Sequence, residues 1–321
     1  MLEAALRQNI GLPYGCRNGA CGACKGILRS GELEYGDYQE RALHEAERQA
    51  GKALTCCTRP LTDIVFEVRE LAGAKDVAIR TLPCRVEKVE RPADDVAILY
   101  LKLPAGERLQ FLAGQYIDIL LKEGKRRSFS MANAPHDDQL LQLHVRKSPN
   151  GAFSKYVFEE MKERSILRFE GPLGTFYLRE DSDKPMIFVA GGTGFAPIKA
   201  QIEHLLHKGE DRPIVLYWGA RAQKDLYLPE LPVQWTRDHP NVSYIPVLSE
   251  PEPGDAWEGR TGFVHQAVLD DFADLSGYQV YACGAPAMTD AARRDFVGLR
   301  NLPAGEFFAD SFTYAAETEG P

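Results

Sequence analysis

Tyr14-Gly15-Cys16-Arg17-Asn18-Gly19-Ala20-Cys21-Gly22-Ala23-Cys24 is the stretch around which the chain is organised. Its three cysteines, separated by four and then two residues, have the spacing of a plant-type [2Fe-2S] loop. Gly15, Gly19 and Gly22 permit positive φ and close approach, so backbone N–H groups can point at cluster sulfurs. Such a cluster moves single electrons, and the rest of the chain is expected to supply their source.

Working outward, Leu2 to Gln8 reads as a short amphipathic helix with Leu2, Ala5 and Leu6 on one face, ended by Gly11 and Pro13. Lys25 to Leu28 and Glu32 to Tyr35 read as short strands and Gln39 to Gln49 as a charged helix. Ala53-Leu54-Thr55-Cys56-Cys57-Thr58 then supplies a fourth thiolate. Only one of the adjacent pair is needed; Cys56 is preferred, with 31 residues intervening after Cys24, and Cys57 is the alternative. Neighbours in an extended segment point opposite ways, so the other cysteine is packed or exposed. A zinc site is the rival reading, but zinc usually takes two CxxC pairs, and a triplet plus a distant cysteine favours iron.

A chain of 321 residues suggests two or three domains. The net charge of −8 argues against nucleic acid as a partner. No apolar run approaches the about 18 residues of a membrane span, and the N-terminus lacks a signal peptide's basic and apolar regions, so a cytoplasmic location is the default expectation and a membrane is not an expected partner. Seven cysteines, bunched at one end, suit a thiolate cluster in a reducing compartment better than a disulfide framework.

After the small-residue stretch Ala72-Gly73-Ala74-Lys75, read as a linker, the pattern changes. Arg85 to Val89, Val96 to Leu103, Tyr116 to Leu121, Arg127 to Ser130 and Leu140 to Val145 are short alternating or β-branched runs between Pro, Gly or Asp turns, the spacing of a small antiparallel barrel. Cys84 reads as a plain core residue. Arg127, Phe129 and Ser130 could meet a phosphate, a ring face and a polar ring atom of one ligand. Gly151-Ala152-Phe153-Ser154 opens a helix running to Met161, whose free N–H groups and dipole suit a pyrophosphate.

Beyond Glu180 to Lys184 the order becomes strand, glycines, helix. Met186 to Ala190 is a continuous apolar run, as for a buried parallel strand, and Gly191-Gly192-Thr193-Gly194 follows directly, then Pro197 and a helix to His207. The glycines let a phosphate approach the helix start. Further strands at Ile214 to Trp218, Ser243 to Val247, Gln279 to Ala282 and Glu306 to Ala309, with helices at Thr261 to Leu269 and Pro286 to Leu299, describe a doubly wound α/β domain with ligands at the carboxyl ends of its strands. Arg221 and Asp225 are candidates for the cofactor's ribose end, a cation serving NADPH and an acid serving NADH.

These motifs carry a resemblance. The first 70 or so residues resemble a plant-type ferredoxin domain, and the later two parts resemble the flavin and nicotinamide modules of the ferredoxin-NADP reductase superfamily. The implied fold is multidomain α+β and α/β: a truncated β-grasp ferredoxin at 1–72, a linker at 73–80, a six-stranded antiparallel FAD-binding β-barrel at 81–180 and a doubly wound parallel NAD(P)H-binding domain at 181–321. It is truncated because ferredoxin domains of this family begin with a β-hairpin, whereas this sequence starts at the helix. An unpaired sheet edge and a poorly held cluster are therefore expected.

The resemblance implies that Cys16, Cys21, Cys24 and Cys56 hold the cluster, that Arg127 contacts the FAD pyrophosphate, that Phe129 packs on the flavin and that Ser130 lies near its reactive nitrogen. His144, Val145 and Arg146 would run along the flavin in the next strand. Cys283 and Gly284, in Cys283-Gly284-Ala285-Pro286, match a motif that meets the nicotinamide, and Asp310 would lie near the flavin edge. Ser130, Cys283 and Asp310 are the catalytic candidates. The segment Tyr217 to Tyr227 resembles NADH-dependent oxygenase reductases, favouring NADH with NADPH the alternative.

The whole order implies an oxidoreductase in which FAD divides the hydride of NAD(P)H into single electrons for the cluster. The runs Arg127 to Pro135 and Arg168 to Phe176, with Gly259-Arg260-Thr261-Gly262, most resemble the CDP-6-deoxy-3,4-glucoseen reductases, which implies a pyridoxamine-dependent sugar dehydratase as electron acceptor. Reductases of phenol hydroxylases and aromatic-ring dioxygenases share the core motifs, so an oxygenase is the alternative partner. A cluster-deficient flavin reductase or diaphorase is the alternative activity, and a zinc-containing structural adaptor a third reading.

Overall fold

The structure is a computed structural model and describes residues 1–8, 10–71, 77–149 and 151–313. The linker stretch Ala72 to Lys75 lies outside the described residues. In the first module α1 (Leu2–Arg7) precedes the cysteine loop, and β1 (Lys25–Ser30), β2 (Leu33–Tyr35), α2 (Glu45–Gln49), β3 (Lys52–Leu54), β4 (Thr58–Pro60) and β5 (Val65–Glu67) follow it. The strands form a sheet of order β3-β1-β5 and a separate β2-β4 pair. The outer edge of β5 has no partner strand among the described residues, and Val65 on it is exposed.

The expected helix over Gln39 to Gln49 is one turn and a half at its end. Ala42 and Leu43 are instead turned into the core of the module. The helix starts only at His44, whose extended backbone lets the Glu47 carboxylate accept its N–H (3.3 Å).

The second module contains β6 (Arg80–Ala93), β7 (Val96–Lys102), β8 (Tyr116–Leu120), β9 (Arg126–Ser130), β10 (Leu141–Arg146), α3 (Ala152–Glu159) and β11 (Ile166–Leu173). All neighbours in the order β10-β7-β6-β11-β8-β9 are antiparallel, and a bridge between Met131 and Leu143 joins the two ends into a barrel. Closure leaves no free edge. The sixth strand, β11, passes unseen in the strand pattern because Gly171 and Pro172 interrupt it. Cys84 is a core residue, as expected.

The third module is parallel throughout, with β12 (Met186–Gly191), α4 (Phe195–Lys208), β13 (Ile214–Ala220), α5 (Glu230–Asp238), β14 (Val242–Leu248), β15 (Arg260–Thr261), α6 (Val264–Asp271), β16 (Gln279–Gly284), α7 (Pro286–Leu299) and β17 (Phe307–Ser311). The sheet order is β15-β14-β13-β12-β16-β17. Alternate residues of β12 feed opposite cores: Met186, Phe188 and Ala190 pack with α4 and α5, Ile187 and Val189 with α6 and α7. Both faces are buried, which is why the strand reads as an unbroken apolar run. Helix α6 starts three residues later than expected because Gly262 has φ +107° and Phe263 is extended.

No helix among the described residues is long and apolar enough to cross a membrane.

Candidate functional site

The loop before β1 turns its amides onto its own thiols. Ala20 and Cys21 N–H groups point at Cys16 Sγ (3.2 and 3.3 Å), and the Cys16 N–H points at Cys21 Sγ (3.4 Å). Gly19 makes the fold of the loop possible: it has φ +73°, and a Cβ there would stand 2.7 Å from the Asp37 carbonyl oxygen. The hydrogen bond from the Cys21 thiol draws the Cys16 thiol down to about 6 against its burial. The loop therefore favours thiolate at Cys16, the form that binds metal.

The four expected ligands stand as two hydrogen-bonded pairs, Cys16 with Cys21 and Cys24 with Cys56. Among the described residues no three His, Cys, Asp or Glu side chains are grouped around a single ion position. Two pairs fit two irons, each taking two thiolates, better than one tetrahedral ion. Cys57 adjoins the second pair: its thiol is hydrogen-bonded to Cys56 and its Sγ stands 3.9 Å from the Leu54 carbonyl, and all seven cysteines are free of disulfides.

In the barrel, Ser130 is buried on β9 directly opposite Tyr116 on β8. Phe129 packs its ring on Phe153 with centroids 5.1 Å apart, which brings together two residues expected at the flavin. Arg127 is bonded only to the neighbouring Arg126 carbonyl (2.8 Å) among the contacts described, so its guanidinium has donors to spare. Ser154 accepts the Ser148 N–H (3.0 Å) and donates to the Gly151 carbonyl (2.9 Å), shaping the turn that carries Gly151 and Ala152 into α3.

On β10 Val145 packs into the barrel core, while His144 is buried on the opposite face, against the third module. His144 Nδ1 meets Tyr227 Oη of the third module (2.7 Å), while its Nε2 is buried without a hydrogen-bond partner. Burial, with Lys199 nearby, pushes the imidazole down to about 3, so it is neutral. Arg146 Nε pairs with Asp95 (3.2 Å), while its Nη2 is buried without a hydrogen-bond partner. The same guanidinium stands 3.0 Å from where a Cβ on Gly192 would lie. Unsatisfied buried donors between the barrel and a glycine turn fit the phosphates of bound dinucleotides.

Gly191, Gly192, Thr193 and Gly194 form the turn between β12 and α4. The Trp218 indole donates to the Gly192 carbonyl (3.0 Å). Cys283 is fully buried, and burial pushes its thiol well up, so it remains a neutral thiol. Gly284 follows with φ +151° against the backbone of Gly191, so the two nucleotide motifs touch. The two candidates for the ribose end form an ion pair, Arg221 Nε lying 3.9 Å from Asp225 Oδ2. Asp225 is 8 % exposed and its carboxylate accepts the Ala222 N–H (3.1 Å), closing its own turn, whereas Arg221 is exposed. Asp225 acts inside the fold because a short turn leaves its Ala222 N–H unpaired otherwise.

Asp310 lies beside Cys283 across β16 and β17, and its Oδ1 is 3.9 Å from where a Cβ on Gly15 would stand. It thus sits behind the cysteine loop, and burial, with the nearby Cys16, pushes its carboxyl up to about 7. Sequence reasoning missed Arg17, Tyr116, Lys199 and Tyr227, which tie the modules together. A charge at position 17 inside a loop of small residues was the one local signal.

Comparison with known proteins agrees with this geometry. Residues 1–61 match the model of the 2Fe-2S iron-sulfur cluster binding domain, 83–177 the oxidoreductase FAD-binding domain and 188–294 the oxidoreductase NAD-binding domain. The chain is 45 % identical over 312 residues to CDP-6-deoxy-L-threo-D-glycero-4-hexulose-3-dehydrase reductase of Yersinia pseudotuberculosis, covering 97 % of this chain and 92 % of the relative. It is 38 % identical to the phenol hydroxylase P5 protein of Acinetobacter pittii, covering 91 % and 83 %. The structure of the Amycolatopsis cytochrome P450 reductase GcoB matches with a TM-score of 0.81 and 33 % identity over 98 % of this chain and 94 % of that one. The chain therefore belongs to the ferredoxin-NADP reductase superfamily, in the family of iron-sulfur flavoprotein reductases that pass electrons from NADH through FAD and a [2Fe-2S] cluster to a partner enzyme.

Proposed function

We propose that the partner is a pyridoxamine-dependent dehydratase acting on a nucleotide sugar, and that the enzyme works in the cytoplasm. The 45 % identity to a hexulose-3-dehydrase reductase across nearly the whole of both chains carries this reading. An oxygenase partner is the second reading, favoured by the 38 % identity to a phenol hydroxylase component. Mixing the holoenzyme with NADH and each purified partner decides between them: turnover of the sugar substrate by the dehydratase is expected, and coupling to the oxygenase alone would reverse the assignment.

FAD, when bound, takes the hydride and gives up its electrons singly, and the cluster accepts them one at a time. The residues of this chain would prepare those transfers. The turn Gly191 to Gly194 seats the NADH pyrophosphate, Arg221 meets its ribose end, and the neutral thiol of Cys283, with Gly284, borders the nicotinamide. Arg127, Phe129 and Ser130 hold FAD with the turn Gly151 to Ser154. Arg146, beside Gly192 and with an unpartnered Nη2, would offer a donor to a cofactor phosphate. Asp310 bridges the space between Cys283 and the cysteine loop. The line Cys283, Asp310, Gly15 supports a continuous route from nicotinamide to cluster.

The alternative activity is that of a cluster-deficient flavin reductase. Iron and sulfide analysis with a visible spectrum tests this: two irons per chain and a broad shoulder bleached by NADH are expected, whereas flavin bands alone would establish the diaphorase reading.

A further inference from the structure

The cysteine loop is bonded to the barrel on both sides of Cys16. Thr175 Oγ1 accepts the Tyr14 N–H (3.0 Å) and donates to the Tyr14 carbonyl (2.9 Å). Tyr116 Oη donates to the Gly15 carbonyl (2.6 Å). Arg17 donates to Glu3 (2.6 Å) and to Glu170 (3.1 Å), which also holds Arg126 (2.7 Å). Apolar packing runs the same way, since Tyr116 and Leu173 of the barrel share a core with Leu2, Tyr14, Cys24 and Leu54.

Among these anchors Tyr116 has a particular position. Directly opposed residues of an antiparallel pair present their side chains on one face, and Tyr116 is opposed to Ser130. Its ring is seated on Gly174, where a Cβ would lie 2.7 Å from the ring, so it has little freedom to move. One rigid side chain therefore starts at the strand position facing Ser130 and ends on the peptide that precedes Cys16.

We propose that Tyr116 is a positioning residue that holds the cysteine loop at a fixed distance from the flavin strand and so sets the rate at which electrons pass from flavin to cluster. This rests on the reading of Ser130 as a neighbour of the flavin and Cys16 as a cluster ligand. The step moves one electron from the NADH-reduced flavin to the oxidised cluster, no bond forms or breaks between them, and the flavin's proton leaves to solvent. The hydroxyl takes no part in the chemistry. It fixes geometry, and electron delivery is sensitive to that geometry as any reaction between held partners is.

Tyr116→Phe removes the hydroxyl and keeps the ring. Two measurements on the FAD- and iron-loaded holoenzyme test its role: anaerobic stopped-flow mixing with NADH, and hydrogen-deuterium exchange of residues 12–24. The expected result is flavin bleaching at the wild-type rate, cluster reduction slowed about fivefold, and faster amide exchange in the loop, the loss of one hydrogen bond. Cluster reduction at the wild-type rate would overturn the proposal, as would parallel slowing of both phases, which marks general damage. Slower cluster reduction with unchanged exchange would also overturn it, because the loop would then not have been released. Failure of the wild-type flavin to bleach would instead remove the reductase reading, and the proposal with it. Thr175→Val, which cuts the adjacent anchor, is expected to raise loop exchange in the same way; unchanged exchange there and in Tyr116→Phe would show that the barrel does not hold the loop.

Discussion

A Cβ on Gly194 would stand 2.1 Å from the carbonyl oxygen of Cys283. The clash is with backbone, which cannot swing aside. The dinucleotide turn and the Cys283-Gly284 segment therefore lie closer together than any residue but glycine allows. Gly194→Ala is expected to cost about 1–3 kcal/mol and to raise the KM for NADH, since it pushes apart the two segments that would border the cofactor. Thermal unfolding and steady-state kinetics check this, and an unchanged Tm would show that the approach is not real.

His144 predicts a pH dependence. The folded chain holds it neutral down to about 3, while the unfolded chain takes up a proton near the ordinary 6.5. Its stabilising contribution is thus complete above 6.5 and falls away at about 1.4 kcal/mol per pH unit as pH drops toward 3. Urea titrations of wild type and His144→Gln across that range should differ by this slope; parallel curves would mean that the imidazole is charged in the fold.

Lys199 joins α4 to the barrel. Its ammonium, 8 % exposed, donates to the Ala132 carbonyl (3.1 Å), Gln142 Oε1 (3.1 Å) and Glu203 (2.8 Å). Lys199→Met leaves these acceptors unpaired and should cost about 3 kcal/mol, at the lower end for a broken buried pair because Glu203 retains some exposure. Adding Glu203→Gln should recover part of the loss. The denaturant midpoints of the two variants measure this.

The adjacent cysteines separate by environment. Cys56 bonds to Cys24, the third cysteine of the loop, whereas Cys57 bonds only to Cys56 among the cysteines and leans on the Leu54 carbonyl. Iron analysis of Cys56→Ser is expected to show at least half the iron lost, and Cys57→Ser full iron. The reverse outcome would exchange their roles.

Local patterns carried the chemistry of this chain. Ligand spacing in Cys16 to Cys24 and the strand-glycine-helix order of Met186 to Gly194 are legible because a cluster loop and a phosphate-binding turn are each built from consecutive residues. Strands of the barrel were legible where side chains alternate, and β11 escaped because Gly171 and Pro172 break the alternation. The helix over Gln39 to Gln49 was overextended because its charged residues have helical propensity, while burial of Ala42 and Leu43 decides the backbone before His44.

What the tertiary structure alone decided is how the modules meet. Tyr116 and Gly15 are 101 residues apart, and His144 and Tyr227 are 83 apart. Neither contact leaves a local trace, because a hydroxyl needs only one acceptor and any carbonyl brought to it will serve. Asp225 shows the converse, an acid at a promising position whose carboxylate is turned inward by an unpaired N–H three residues away. Residue type and spacing determined which cofactors this chain can hold; tertiary packing determined that the cysteine loop meets Tyr116, Glu170 and Asp310.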